Sequence, residues 1–335
     1  MRLRPLALLV TLALGLLAVP QVTLAQSRAK VPRVGILCPV ACFVAGVPAA
    51  TGAAGEAFLR ALRDLGYVDG ENVLLDFRGA GVPYPRLADQ AAELVRRRVD
   101  LLLVEGSAAA QAARRATDTI PVVMLGVPDA VELGLVSDLA RPEGNVTGVS
   151  VPFAELVAKQ LELVKEVVPG VSRVALLSNP ENPDHAPALG AARVAARLVA
   201  VELRVHNVRA RDPQAFRGAL AAIRRERAAA LLVLPDAGFY SGELLVAAIE
   251  GRIPTVSTQR RFIAGGGLMA YGPHQLEMVR RVAAYVDRLL KGAKPTDLPI
   301  EQPTRYELVV NLTTAKALGL TIPQSILVRA DEVVR

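Results

Sequence analysis

Apolar and polar positions along this chain follow two alternating periods, and the same succession of periods occurs twice. Short apolar runs, Arg33-Val34-Gly35-Ile36-Leu37 and Arg173-Val174-Ala175-Leu176-Leu177, are stopped by turn residues and read as buried strands. Leu101-Leu102-Leu103-Val104 is answered by Leu231-Leu232-Val233-Leu234, and Ile120-Pro121-Val122-Val123 by Ile253-Pro254-Thr255-Val256, so the two copies stand 130 to 140 residues apart in one order. Helix-length amphipathic stretches separate the runs. Strands alternating with helices make βαβ units, whose crossovers force parallel pairing with helices on both faces. The expected fold class is α/β, with two doubly wound parallel-sheet lobes, a multi-strand hinge and a cleft between the lobes.

In the first lobe the pattern predicts strand 33–38, helix 53–65, strand 72–78, helix 84–98, strand 99–105, helix 107–116 and strand 120–126. The second repeats it with strand 172–178, helix 185–199, strand 202–208, helix 213–226, strand 229–234, helix 239–250 and strand 253–257. Segment 144–150 reads as a strand leaving the first lobe, helix 153–168 follows it, and 268–272 reads as the returning strand. A helix at 275–290, apolar at Leu276, Val279, Val282, Ala283, Val286 and Leu290, is expected to pack on the first lobe again. A strand at 307–311, a helix at 313–318 and a tail containing Ile322-Pro323 complete the chain. On this reading residues 26–147 and 273–304 form the first lobe, and 148–272 and 305–335 the second. Several crossing segments make a hinge on which two lobes close around something held between them.

Residues 1–25 stand outside the pattern. Arg2 and Arg4 precede an apolar stretch from Leu6 to Val19, and Thr23-Leu24-Ala25 supplies a small residue before the expected cut, as in a secretory signal peptide. The competing reading, an uncleaved membrane anchor, calls for a longer apolar core. A lipoprotein signature is lacking, since Leu37 rather than a small residue precedes Cys38. The expectation is a periplasmic monomer of about 310 residues, enough for two domains with separate cores. The formal charge of +7 includes Arg2 and Arg4, and the remaining +5 is spread over faces such as Arg96-Arg97-Arg98 and Arg224-Arg225-Glu226-Arg227. These read as solvated helix faces in preference to a nucleic-acid patch, and a chain without Trp offers little for base stacking.

The two cysteines, Cys38 and Cys42, flank a turn at Pro39. In an oxidising compartment that spacing favours a structural disulfide over two free thiols, with only a small entropic gain from so short a loop. It is not the C-x-x-C redox spacing, and no histidine is near in sequence to complete a metal site.

Open parallel sheets bind ligands beyond the carboxyl ends of their strands. Ser107, at a helix start, is placed either to cap that helix or to hold a carboxylate together with the free N–H groups there. Asp129 and Asp236 are placed to pair with an ammonium group or to cap the helices that follow them. Asn179, before Pro180, is a turn former or a ligand contact. Tyr271 belongs to the core or to the cleft wall, and Phe43 to the loop after the first strand. The chain has no phosphate loop, no G-x-G-x-x-G after a strand, no H-E-x-x-H and no G-x-S-x-G, and His185, His206 and His274 are scattered singly. Neither catalysis nor a metal nor a cofactor is expected of it. Two lobes without catalytic machinery point to a binding protein.

Specific runs add to this. Leu62-Arg63-Asp64-Leu65-Gly66-Tyr67-Val68-Asp69-Gly70, Ala140-Arg141-Pro142-Glu143-Gly144-Asn145-Val146-Thr147-Gly148, Leu290-Lys291-Gly292-Ala293-Lys294-Pro295, and Glu307-Leu308-Val309-Val310-Asn311 with Ala315-Lys316-Ala317-Leu318-Gly319-Leu320 resemble one family. It is the ABC-transporter substrate-binding proteins that include tryptophan and phenylalanine binders, with the type I periplasmic-binding-protein fold. The resemblance implies that a small ligand, an amino acid or related carboxylate, is captured between the lobes and passed to an ABC permease. It places Ser107, Asp129, Asn179 and Asp236 at the family's motif positions. Cys42 and Phe43 in the first loop, and Val127-Pro128-Asp129-Ala130 in place of the usual Asp-Pro-Val order, depart from its pattern. The alternative function is a sensory module presenting its closed form to a membrane receptor.

Overall fold

The first strand, β1 (Arg33–Leu37), is buried on both faces, and the rest of the first lobe is built to cover them. The computed structural model describes residues 30–39, 52–79, 84–209, 212–236, 239, 244 and 248–335. β1 pairs with β2 (Leu74–Arg78) and β3 (Leu101–Glu105), and β4 (Val122–Pro128) and β5 (Val146–Val151) extend the sheet in the order β2-β1-β3-β4-β5, every pair parallel. Strand period two divides the core. Val34, Ile36, Leu101 and Leu103 point to Phe58 and Leu62 of α1 (Gly52–Asp64). Leu37, Leu102, Val104 and Met124 point the other way, to Leu94 of α2 (Leu87–Arg96) and Ala109 and Ala113 of α3 (Gly106–Ala116). Each fully buried large side chain contributes roughly 1.5–3 kcal/mol of transfer free energy, so a one-residue slip in register would forfeit both faces at once.

The second sheet contains β6 (Arg173–Ser178), β7 (Glu202–Asn207), β8 (Ala230–Val233), β9 (Thr255–Ser257), β10 (Met269–Pro273), β11 (Tyr306–Asn311) and β12 (Glu332–Val334), in the order β12-β11-β10-β9-β8-β6-β7. Val174, Leu176, Leu232 and Val256 face Val157, Leu161 and Val164 of α4 (Phe153–Val167) and Ala192 and Ala195 of α5 (His185–Leu198). Ala175, Leu177, Leu231 and Val233 face Phe216, Leu220 and Ile223 of α6 (Pro213–Arg225) on the other side. After β9 comes one short helical turn, α7 (Arg261–Ala264).

The chain passes between the sheets three times. It leaves β5 through Pro152 into α4, and leaves β10 into α8 (Gln275–Leu290), whose Val279, Val282 and Val286 join the α1 side of the first core. It then runs beside β5, where Ser150 N–H donates to Glu301 O and Glu301 N–H to Gly148 O, both at 2.9 Å, before entering β11. Gly148 has φ of 125°, and a Cβ there would lie 2.3 Å from the Met124 carbonyl oxygen. Only glycine fits where β4 and β5 shift register between Met124 and Val127.

Three local expectations are revised. Segment 144–150 does not leave the first lobe, because β5 pairs with β4 from end to end and Thr147 Oγ1 donates to Leu298 O at 2.7 Å. The helix expected from 84 begins as a 3-10 turn, Tyr84–Arg86, and ends where Arg98 takes φ of 57°. The tail is ordered: α9 (Leu312–Leu318), capped by Asn311, is followed by α10 (Gln324–Arg329) and β12, which pairs parallel to β11 while β11 runs antiparallel to β10. The second sheet is therefore mixed at that edge. Residues 1–25 and most of the helix expected at 239–250 lie outside the described residues. Among the described residues no helix is long and apolar enough to cross a membrane.

Candidate functional site

A cavity of about 140 Å³ lies where the carboxyl ends of the two sheets face each other. Its walls are largely apolar, with Leu125, Val151, Phe153, Leu156 and Met278 among them, while Ser107, Asp184, Asp236 and Thr258 supply polar atoms.

In the first lobe the site is set by the abrupt turn from β3 into α3. Gly106 has φ of 74°, which lets the helix start directly after Glu105 and brings Ser107, fully buried, to the cavity. Glu105 lines the same wall, with Cys38 Sγ 2.6 Å from its Oε2. Burial pushes its carboxyl up to about 7, opposed by the Arg261 guanidinium from the second lobe.

In the second lobe, loop 179–184 is shaped by two asparagines that accept from the backbone two residues on: Asn179 Oδ1 from Glu181 N–H at 3.1 Å and Asn182 Oδ1 from Asp184 N–H at 3.0 Å. Both amides also donate to one oxygen of Asp236, at 2.9 and 3.0 Å, and Tyr84 from the first lobe donates its hydroxyl to that same oxygen at 3.0 Å. His185 ties the loop to the end of β8. Its Nδ1 accepts from Asn179 N–H at 2.7 Å, so the ring proton sits on Nε2, 3.1 Å from Pro235 O. Burial holds this imidazole below its usual range, in the neutral form the arrangement requires.

The loop delivers Asp184 to the cavity, where Oδ2 accepts from Ser107 N–H across the cleft at 3.5 Å. Burial pushes its carboxyl up to about 6, with Ser107 working against the rise and Asp236 adding to it. Among the described residues, three buried polar atoms at this cavity have no hydrogen-bond partner: Ser107 Oγ in the first lobe, and Asp184 Oδ1 and Thr258 Oγ1 in the second. Leaving such groups unsatisfied costs about 1–3 kcal/mol each, a cost that marks a site built for a polar ligand.

Of the residues singled out from sequence, Ser107 and Asp236 meet at the cavity. Asn179 stands one step behind, orienting Asp236. Asp129 does not line the cavity; its backbone has φ of 38° and its Oδ1 accepts from Phe153 N–H at 3.2 Å, capping α4, while burial raises its carboxyl. Tyr271 also lies off the cavity lining, on β10, with its ring stacked on Tyr306 at 5.9 Å. Phe43 and Cys42 fall outside the described residues, and with them the contact and the disulfide expected there. Thr258, at the carboxyl end of a strand of the second lobe, was among the positions expected to face the ligand and lines the cavity, whereas Tyr84, Glu105, Asn182, Asp184 and Arg261 were missed. For Asn182 and Asp184 the signal was present, since Asn179-Pro180-Glu181-Asn182-Pro183-Asp184 is a turn-rich run directly after a strand.

Two α/β lobes with a partly polar cavity at their facing sheet ends define a two-lobed ligand-binding architecture, and comparison with known proteins agrees. A family profile described as ABC transporter substrate binding protein matches residues 40–334. The tyrosine-binding protein of Clostridioides difficile is 28% identical over 271 residues, covering 80% of this chain and 76% of that protein. Among solved structures, a conserved domain protein from Vibrio cholerae is 27% identical with a TM-score of 0.80, covering 91% of this chain and 100% of that one. An ABC domain from Streptococcus pneumoniae in complex with L-Trp is 25% identical with a TM-score of 0.76, covering 90% and 99%. The chain belongs to the ABC transporter substrate-binding protein family, with the type I periplasmic-binding-protein fold; it is a solute-binding protein and not an enzyme.

Proposed function

We propose that this chain is the solute-capturing component of an ABC importer and that its ligand is an α-amino acid with a bulky apolar side chain. The observation that carries the reading is the set of unpartnered buried polar atoms, Ser107 Oγ on one lobe and Asp184 Oδ1 and Thr258 Oγ1 on the other, around a cavity whose remaining wall is mostly apolar. A zwitterion fits this division. Its carboxylate goes to the Ser107 hydroxyl and the positive end of α3, and its ammonium to Asp184 and Asp236, whose mutual repulsion it relieves. The side chain then runs along Leu125, Phe153, Leu156 and Met278. The tyrosine-binding and L-Trp-bound relatives support an aromatic amino acid.

Because such a ligand touches both lobes, it binds the closed form and stabilises it. At a hundred times Kd the gain is about 2.7 kcal/mol. Export through a cleaved signal peptide, a monomeric state in the periplasm, a Cys38–Cys42 bridge and delivery to a permease belong to the same reading. The test is mass spectrometry of small molecules retained by the purified protein, followed by thermal-shift titration with L-tyrosine and L-tryptophan. A retained amino acid whose addition raises Tm is the expected result. No shift with any proteinogenic amino acid would defeat the amino-acid assignment.

A further inference from the structure

We infer that Tyr84 is the closure latch of the cleft, its hydroxyl bond to Asp236 setting the balance between open and closed forms and thereby the rate of ligand release. Tyr84 stands in the 3-10 turn before α2 and packs half-buried on the first-lobe core, yet its Oη donates to Asp236 Oδ2 in the second lobe at 3.0 Å. That oxygen accepts two further hydrogen bonds, from Asn179 and Asn182, and both donors belong to Asp236's own lobe. The difference is decisive. The asparagine bonds persist whatever the lobes do, so they hold the carboxylate in place in every conformation. The Tyr84 bond exists only when the lobes are together, so its whole free energy favours the closed form.

Ser107 N–H to Asp184 Oδ2, also across the cavity, is at 3.5 Å and is weaker than the Tyr84 bond, while the Arg261 guanidinium acts on Glu105 from the opposite lobe. A hydroxyl donating to a carboxylate in a buried site belongs to the stronger class of hydrogen bond. Asp236 lines the cavity as well, so one carboxylate faces the ligand and receives the latch. A residue acting in this way is a positioning residue. Tyr84 lines the cavity as well, and with its hydroxyl given to Asp236 it acts on how long the cleft stays shut.

The ligand half of the test rests on the amino-acid reading above, while the ligand-free half does not. Tyr84→Phe removes one oxygen and keeps the ring packing. In ligand-free protein, hydrogen–deuterium exchange of segment 105–108, which lines the cavity at the start of α3, should accelerate several-fold in the variant, with exchange in β11 and β12, away from the cavity, unchanged. The chain has no tryptophan, so the emission of bound L-tryptophan is read without background. Stopped-flow release of L-tryptophan should be about tenfold faster in Tyr84→Phe, with its association rate unchanged. An unaltered release rate, or exchange accelerated equally in β11 and β12, overturns the latch. If wild type binds no L-tryptophan, the exchange experiment decides: unchanged exchange at 105–108 overturns the latch.

Discussion

Asp184→Asn is expected to make the ligand-free protein more stable at neutral pH while removing ligand binding. Burial at the cavity raises the Asp184 carboxyl from its ordinary 3.8 to about 6. Between those values the folded protein keeps a proton that the unfolded chain has released. Stability therefore falls as pH rises through that window, and the loss is complete above about pH 6. Roughly two pH decades at 1.36 kcal/mol each come to about 3 kcal/mol. Asparagine has the same shape and no ionisation, so the variant escapes this loss. Urea denaturation followed by circular dichroism should find the two proteins alike at pH 4 and the variant more stable at pH 7.5 by up to about 3 kcal/mol. Calorimetric titration with L-tyrosine or L-tryptophan should show binding lost, because the ammonium has lost a charged partner. A stability difference equal at both pH values would mean that Asp184 is hydrated in the ligand-free protein, and a variant less stable at pH 7.5 would make Asp184 a structural residue. Either result refutes the reasoning.

Other outcomes follow from the same geometry. Ser107→Ala removes a buried hydroxyl without a partner, so Tm of the ligand-free protein should hold or rise while ligand affinity falls about tenfold by calorimetry. Asp236→Ala strips the acceptor from Asn179, Asn182 and Tyr84, and denaturation should show a loss on the order of 3 kcal/mol even without ligand. Gly148→Ala forces a Cβ against the Met124 carbonyl oxygen and should leave the protein largely insoluble, which a soluble-fraction assay reads directly. Alkylation of denatured, non-reduced protein should label neither Cys38 nor Cys42, and labelling of both would exclude the bridge.

The fold was legible to different depths. β1, β3, β6 and β8 announced themselves because helices cover both faces, leaving nearly uninterrupted apolar runs, and their repetition in one order exposed two lobes. α8 was visible from its apolar stripe. β12 and α10 were not, since a three-residue strand and a six-residue helix are too short to establish a period. β5 was recognised as a strand but misplaced, because partner choice depends on which edge is open and carries no local signal.

The site divides along the same physical line. A polar residue just beyond the carboxyl end of a buried strand is a local property, and Ser107 and Asp236 were found from it. Which aspartate turns into the cavity is not local. Asp129 and Asp184 are both loop aspartates near helix starts; Asp129 is drawn to the free N–H of Phe153, while turns at Asn179 and Asn182 carry Asp184 across to Ser107. Tyr84 and Asp236 are 152 positions apart and Glu105 and Arg261 lie in opposite lobes, so their meeting depends on the packing of the two lobes. The sequence by itself determined the two-lobed α/β architecture, through burial periods that act over a few residues. Only the tertiary structure decided which polar groups share the cavity, because desolvation and hydrogen bonding there depend on atoms brought together from distant parts of the chain.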